Sequence, residues 1–200
     1  MKIERIKITS RDIKKCEEFA HGQIDTSIDH YRNRKQGNRD KIIQDIITGK
    51  LGEIAAFRLL RGYGINTGQP DFEIYNKGRK SFDADLSNGQ YKFHCKTQSE
   101  DSVSKYGVSW ILQWGGKGHG HVDKLFKART PSDYCVISAM DDNGYCNVYG
   151  IVQVELLFKN DLIRPPAVKW LEDCKRAIYF EDIKNLSWRQ RWGVLKNTIS

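Results

Sequence analysis

Two acids, a histidine and a lysine lie close together in the segment SFDADLSNGQYKFHCKTQ, residues 81–98. Asp83 and Asp85 alternate with apolar residues, and a second alternating run beyond an Asn-Gly turn signal carries His94 and Lys96. Alternation with a period of two predicts two strands, and the turn predicts that they pair as a hairpin. The pairing would set the aspartates beside His94 and Lys96, while the intervening residues build a core.

Carboxylates beside a lysine are residue types that suit hydrolysis of a phosphodiester bond. A divalent ion held by two carboxylates activates water and stabilises charge at the phosphate and the leaving oxygen. A neighbouring lysine adds a positive point charge and a proton donor or acceptor.

A further acid, Glu53, lies in the segment KIIQDIITGKLGEIAAFRLLRGYG, residues 41–64, whose apolar spacing of three and four predicts a helix. The same spacing puts Glu53 on or next to the apolar stripe, where a carboxylate is costly unless a cation compensates it. Either a metal ion or a lysine on a facing sheet would do so. Gly49 and Gly52 would let the helix approach that sheet closely.

The remaining pattern predicts an α/β or α+β fold, with helices on either side of a central mixed sheet of about five strands. Asp40 is the expected cap of the 41–64 helix, and Gly62 or Gly64 its expected end. We expect a single domain over residues 1–200. It comprises an N-terminal helical extension (1–40), a catalytic core (41–157) and a C-terminal helical segment (158–200). Further helices are expected near 13–32 and 168–177, a short one at 121–128, and further strands at 108–114, 134–140 and 145–157.

Composition restricts the class of protein. Apolar residues make up 39% of the 200 residues and charged residues 29%, as in an ordinary soluble domain. The formal net charge of +8 suits a polyanionic partner such as nucleic acid, although a mildly basic soluble protein has the same composition. No apolar run predicts a membrane span, and the five cysteines contain no CxxC pair, so we expect a cytoplasmic protein.

Taken together, the helical Glu of GKLGEIAAFRLL, an Asp in a strand, and a Lys in the strand after a turn resemble the PD-(D/E)XK nuclease superfamily. Pro70-Asp71 supplies a literal PD. The resemblance covers about residues 49–98, and in size the chain is most similar to restriction endonucleases. It implies a restriction-endonuclease-like core and hydrolysis of DNA that depends on Mg²⁺.

The resemblance implies a role for each matching residue. Lys96 matches the catalytic lysine, which positions and polarises water or stabilises charge on the phosphate. Asp85 matches the principal metal ligand, and Asp83 shares its face and would assist. Glu53 matches the helical acid that holds the metal or orients water, and Gln98 would contact phosphate or water. Asp71 is an alternative metal ligand, although it lies farther from Lys96 than a simple hairpin requires.

His94 departs from the family pattern, which has Asp or Glu two residues before the lysine. Three interpretations stay open: Glu53 or Asp83 supplies the missing carboxylate, the site accepts Mn²⁺ or another softer ion better than Mg²⁺, or the site is degenerate and the protein only binds. The plain alternatives are a solvated Glu53, a turn-forming Asp85 and an edge-strand Lys96.

Basic and aromatic segments are candidate contacts to double-stranded DNA. In the loop GGKGHGH, the histidines either contact DNA, form a metal site with Asp123, or belong to a plain flexible loop. In SWRQRW, we expect Trp188 and Trp192 to join the core and the arginines to contact phosphate. The predicted DNA contacts are Arg34, Lys35, Arg39, Lys117, His119, Arg189 and Arg191.

The sequence thus predicts a divalent-metal-dependent DNA endonuclease, either a type II restriction endonuclease or a phage-borne relative. A homodimer is expected, because cleavage of a duplex needs two sites. Two alternatives stay open: a structure-specific repair or recombination nuclease, and a non-catalytic DNA-binding module with a degenerate site.

Overall fold

The computed structural model describes residues 2–32, 37–75, 84–115 and 122–198. Within these ranges the chain forms six α-helices and eight strands, with short 3₁₀ turns at Lys124–Phe126, Lys169–Leu171 and Gly193–Thr198. The helices are α1 (Ser10–Arg32), α2 (Arg39–Gly62), α3 (Glu100–Tyr106), α4 (Val154–Lys159), α5 (Phe180–Ile183) and α6 (Trp188–Arg191). The strands are β1 (Glu4–Lys7), β2 (Leu86–Ser87), β3 (Lys92–Gln98), β4 (Ser109–Gln113), β5 (Asp133–Met140), β6 (Tyr145–Gln153), β7 (Ile163–Arg164) and β8 (Lys175–Tyr179).

The predicted mixed sheet flanked by helices is confirmed. Five strands form the central sheet in the order β1-β6-β5-β3-β2, with β3 parallel to β5 and the other pairs antiparallel. A second, antiparallel sheet has the order β4-β8-β7. Each strand of the central sheet therefore has a defined neighbour, and β3 lies one strand from an edge.

The strand composition of the central sheet differs from the prediction. The strand at 108–114 pairs with β8 in the second sheet, so that Trp110 and Leu112 pack into the core between the two sheets. The short β1 takes the vacated place at the far edge, where it pairs with β6. The expected helix over 168–177 is wrong, because pairing with β4 and β7 draws residues from Lys175 onward into a strand.

Three layers result from this packing. On one face of the central sheet, α2 packs Ala56, Leu59 and Leu60 against β3, β5 and β6, and α1 covers α2 from outside. On the other face, the second sheet closes a core that contains Trp110 and Ile178. The helices α1 and α2 and the second sheet thus hold β3 from both sides.

The ends of α2 have clear local causes. Asn38, not Asp40, is the N-cap, because its side chain accepts the Lys41 N–H, whereas Asp40 lies inside the first turn. Gly64 ends the helix with φ +76°, a conformation that suits glycine, as predicted. None of the described helices is long and apolar enough to cross a membrane.

Candidate active site at the edge of the central sheet

The predicted hairpin forms between β2 and β3. Leu86 pairs with Phe93, and Gly89 in the turn has φ +84°. Phe93 packs on the α2 side of the sheet, whereas Gln98 bonds to Ser109 of β4 on the opposite side. Because side chains alternate along a strand, the predicted division of β3 into two faces is confirmed.

Close contact between α2 and β3 positions Glu53. A Cβ built on Gly52 would lie 2.7 Å from Thr97 Cβ and closer still to Thr97 Oγ1, so only glycine fits there. Gly49 has no atom within 4 Å of such a Cβ, so its predicted role in the approach is wrong. The close contact at Gly52 holds Glu53, the next residue, against the sheet.

Glu53 is a carboxyl group with too little positive charge around it. Its side chain is 13% exposed, and Lys50 Nζ donates to its Oε2 over 2.6 Å. Burial, followed by the negative charge of Asp85, raises the pKa of Glu53 to about 8, with Lys50 opposing the shift and Asp71 adding to it. The carboxyl group therefore holds a proton over much of the neutral range unless a further cation binds.

Asp85 lies at the edge of the sheet, just before β2. Its Oδ2 accepts the Cys95 N–H over 2.7 Å, which caps the edge of β3 where β2 has not yet begun. Its negative charge acts on both Glu53 and Lys96. The edge position explains this double influence, because Glu53 reaches β3 from the α2 side and Lys96 leaves β3 on the other.

Lys96 is held as a cation. Its Nζ donates to Asp123 Oδ2 over 2.6 Å, and its side chain is 24% exposed. Burial alone would lower the pKa of Lys96, but the charges of Asp123 and Asp85 and the hydrogen bond to Asp123 outweigh burial and raise it. The lysine therefore serves as a positive charge or proton donor at neutral pH, rather than as a base.

A cleft of about 210 Å³ opens beside Lys96 at the carboxyl end of β3. Its walls combine two lysines, one aspartate and five hydroxyl groups with the ends of β3 and β4. The lining residues are Lys41, Asp45, Thr48, Lys96, Thr97, Gln98, Ser99, Ser102, Ser109, Trp110 and Ile111. Ammonium and hydroxyl groups are donors that suit phosphate oxygens.

Comparison with protein-family models, curated proteins and solved structures found no match to this chain.

Two predicted catalytic residues have structural roles instead. His94 is buried, and its Nε2 lies 3.3 Å from Asp133 Oδ1. Gln98 is also buried: its Nε2 donates to Ser102 Oγ and Gly107 O, and its Oε1 accepts the Ser109 N–H. Both amide ends of Gln98 are engaged in joining β3 to α3 and β4, and the residue also lines the cleft beside Lys96.

The predicted DNA contacts divide into three groups. Arg39 and Arg189 are exposed, although Arg39 pairs with Asp25 over 2.9 Å. Arg191 is only 5% exposed and packs on Gly150, so its predicted phosphate contact is wrong. Trp192 is in the core as predicted, but Trp188 is exposed. The remaining predicted contacts lie outside the described residues: Arg34, Lys35, Lys117 and His119. The predicted metal ligand Asp83 and the loop residue His121 also lie outside them.

The sequence interpretation underrated three residues of this cluster. Lys50 lies three residues before Glu53, and the i,i+3 spacing was the available signal. Asp71 belongs to the literal PD and acts electrostatically on Glu53. Asp123 was interpreted only as a partner for the loop histidines, whereas it holds Lys96, a contact between residues far apart in the sequence.

The carboxylates fit a divalent cation of the magnesium type only as a pair. Among the described residues, no three His, Cys, Asp or Glu side chains form a group that could hold a metal ion. Enzymes that act on phosphates commonly bind Mg²⁺ through one or two carboxylates, with water and substrate oxygens completing the shell. Glu53 and Asp85 would be such a pair if a cation bound, since a cation would supply the positive charge that Glu53 lacks.

Proposed function

We propose that this chain is a divalent-metal-dependent DNA endonuclease of the PD-(D/E)XK type, either a restriction endonuclease or a phage-borne relative. The observation that carries the proposal is the charge imbalance at Glu53, a largely buried carboxyl whose pKa is raised by burial and by Asp85. Asp85 also raises the pKa of Lys96, the strand lysine that is held as a cation. Asp85, which precedes the hairpin, thus acts electrostatically on both the helical acid and the strand lysine.

The proposed division of work follows from these charges. Glu53 and Asp85 would hold Mg²⁺ or Mn²⁺, and the ion would supply an activated water and neutralise charge at the phosphate. Lys96 stabilises negative charge on the phosphate or protonates the leaving oxygen, because its pKa is raised. The cleft beside Lys96 receives the DNA backbone, and the net charge of +8 favours its approach.

The direct test is incubation of the protein with phage DNA and a panel of divalent ions, followed by sequencing of any ends. We expect cleavage with Mg²⁺ or Mn²⁺ and a loss of cleavage in Glu53→Gln that exceeds any loss of folded protein. Discrete ends in plain duplex favour a restriction enzyme, whereas cuts confined to branched or damaged DNA favour a repair nuclease. A homodimer is part of this proposal. The molar mass in solution, measured by light scattering, tests it.

A non-catalytic DNA-binding module is the second candidate. It is favoured by one observation: His94, at the position of the family acid, is engaged by Asp133 and leaves the site with a carboxylate pair. If no divalent ion supports cleavage, while the wild type and Lys96→Ala bind duplex DNA equally, the enzyme proposal fails and this candidate stands.

A further inference from the structure

A second cavity lies at the rim of the small sheet and is built from aromatic rings and arginines. It has a volume of about 180 Å³. Its lining residues are Trp114, Phe126, Arg129, Leu157, Phe158, Asp161, Ile163 and Arg176. No residue of the proposed active site contributes to it.

The rings of this cavity are preassembled. Trp114 and Phe126 meet edge to face with centroids 4.7 Å apart, and Phe126 meets Phe158 at 5.9 Å. Phe126 is buried, whereas Trp114 is 41% exposed. Trp114 thus keeps part of its surface accessible beside the buried Phe126, an arrangement that suits contact with a planar group.

Each outer ring carries an arginine. The Arg129 guanidinium lies 3.8 Å from the Phe158 centroid, and that of Arg176 lies 4.9 Å from the Trp114 centroid. Backbone carbonyls fix both: Arg129 Nε donates to Phe126 O, and Arg176 Nη1 donates to Glu172 O and Lys175 O. Two oriented guanidinium groups thus present positive charge and donors at the mouth of an aromatic cavity.

Asp161 adds an acceptor. It is exposed, and no hydrogen bond or ion pair joins its carboxylate to another described residue. Its φ of 52° lies in the left-handed region just after α4, where chains commonly place glycine. Aspartate adopts this conformation more readily than most residues, and here it brings a carboxylate to the lining of the cavity.

We propose that this cavity binds one unpaired base of a single-stranded or locally opened nucleic acid. The rings stack the base, the arginines contact its edge and the flanking phosphates, and Asp161 accepts a hydrogen bond from an exocyclic amino group. Paired bases cannot enter, because both faces and the pairing edge are occupied in a duplex. The inference rests on the proposed function for the choice of a nucleic acid as the ligand.

The chain connects this cavity to the active site. Trp114 directly follows Gln113, whose carbonyl accepts the Asp123 N–H over 2.7 Å, and Asp123 in turn holds Lys96. A base held against Trp114 would therefore fix the strand relative to the charge that acts on the phosphate. For the proposed nuclease, the cavity predicts a DNA substrate in which at least one base is already unpaired or is drawn out of the helix on binding.

Binding without cleavage tests the cavity. Labelled short oligothymidylate and an abasic strand of equal length are titrated in EDTA by fluorescence anisotropy. We expect the base-containing strand to bind about tenfold more tightly, and Trp114→Ala to remove most of that difference. Trp188→Ala is the matched control, since Trp188 is 40% exposed but does not line the cavity, and it should leave the difference unchanged. Equal binding of the two strands by the wild type, or equal losses in the two variants, would overturn the proposal.

Asp161→Gly tests the acceptor without disturbing the fold, since glycine suits the left-handed backbone. We expect the wild type to bind oligoadenylate more tightly than oligothymidylate, which lacks an exocyclic amino group, and the variant to lose that preference at unchanged or higher Tm. If poly-glutamate displaces the strand from the wild type and this displacement depends on Trp114, the cavity is assigned to an acidic peptide instead. If the protein cleaves DNA but fails these binding tests, the proposed function stands and the cavity proposal fails. If binding depends on the base but no cleavage occurs, only the cavity proposal stands.

Discussion

The two faces of β3 carry polar clusters of opposite design. On the α2 side, Glu53 has one lysine partner and two acidic influences, and its pKa rises to about 8. On the other side, burial of Asp133 is outweighed by hydrogen bonds from Thr130 and by His94, and the pKa of Asp133 falls. A buried carboxylate with enough donors is satisfied and structural, whereas one with too few invites a cation. Under the proposed function, the difference assigns metal binding to the Glu53 carboxyl and structural support to the His94–Asp133 pair, while Lys96 leaves β3 on the same face as His94.

Removal of the strand lysine should have the largest effect. We expect Lys96→Met to lower DNA cleavage about 10²–10³-fold, because the cation that stabilises charge on the phosphate is gone. Lys92→Met is the matched control, since Lys92 lies on the same face of β3 but is exposed. Rates per folded molecule, from single-turnover assays, measure the effect. Equal rates in the two variants would contradict the proposed role of Lys96.

The raised pKa of Glu53 predicts a stability that depends on pH. The folded protein keeps this proton up to about pH 8, while the unfolded chain releases it near 4.5, so stability falls as pH rises between these values. The full loss is about 5 kcal/mol. Urea unfolding across this range should show the fall in the wild type and a flatter profile in Glu53→Gln.

Divalent ions test whether Glu53, unlike Asp133, binds a cation. Because they bind the ionised carboxylate, Mg²⁺ or Mn²⁺ should raise the Tm of the wild type most above pH 8 and least at acidic pH, and should not stabilise Glu53→Gln in the same way. Asp133→Asn is a control from the opposite face, and it should retain the metal-dependent shift. A shift in wild type that is independent of pH would place the ion elsewhere.

The close contact under Glu53 can be broken by one methyl group. We expect Gly52→Ala to cost about 1–3 kcal/mol, because the new Cβ meets the Thr97 side chain and pushes α2 from β3. Gly49→Ala is the control one turn earlier: it meets nothing and should stabilise α2 by up to about 1 kcal/mol. Chemical denaturation measures both. If the two substitutions have the same sign, the contact does not position Glu53.

Local patterns predicted the parts of this structure that depend on neighbours in sequence. The α2 helix followed from its apolar spacing, and the β2–β3 hairpin followed from Asn88-Gly89 and the alternation around it. The burial of Glu53 followed from its place on an apolar stripe. Each of these signals is written within a few residues.

Features that depend on distant pairing were not predictable. The segment from Lys175 carries no strong alternation, and only β4 and β7 beside it make it a strand. Nor does the sequence show that Asp123 will meet Lys96 or that Asp133 will meet His94, since long connections separate each pair. Arg191 was assigned to the surface from its charge, whereas packing on Gly150 buries it.

His94 gives the smallest expected effect and the sharpest test of the comparison. His94→Leu keeps the volume but leaves Asp133 Oδ1 without its partner, while the Thr130 bonds to Oδ2 remain. We therefore expect a loss of about 1 kcal/mol in unfolding free energy and unchanged cleavage per folded molecule. His94→Gln, which can retain a bond to Asp133, should lose less. A specific loss of cleavage in His94→Leu that matches Glu53→Gln would mean that the His94–Asp133 pair also serves the reaction, and that a satisfied pair can be catalytic.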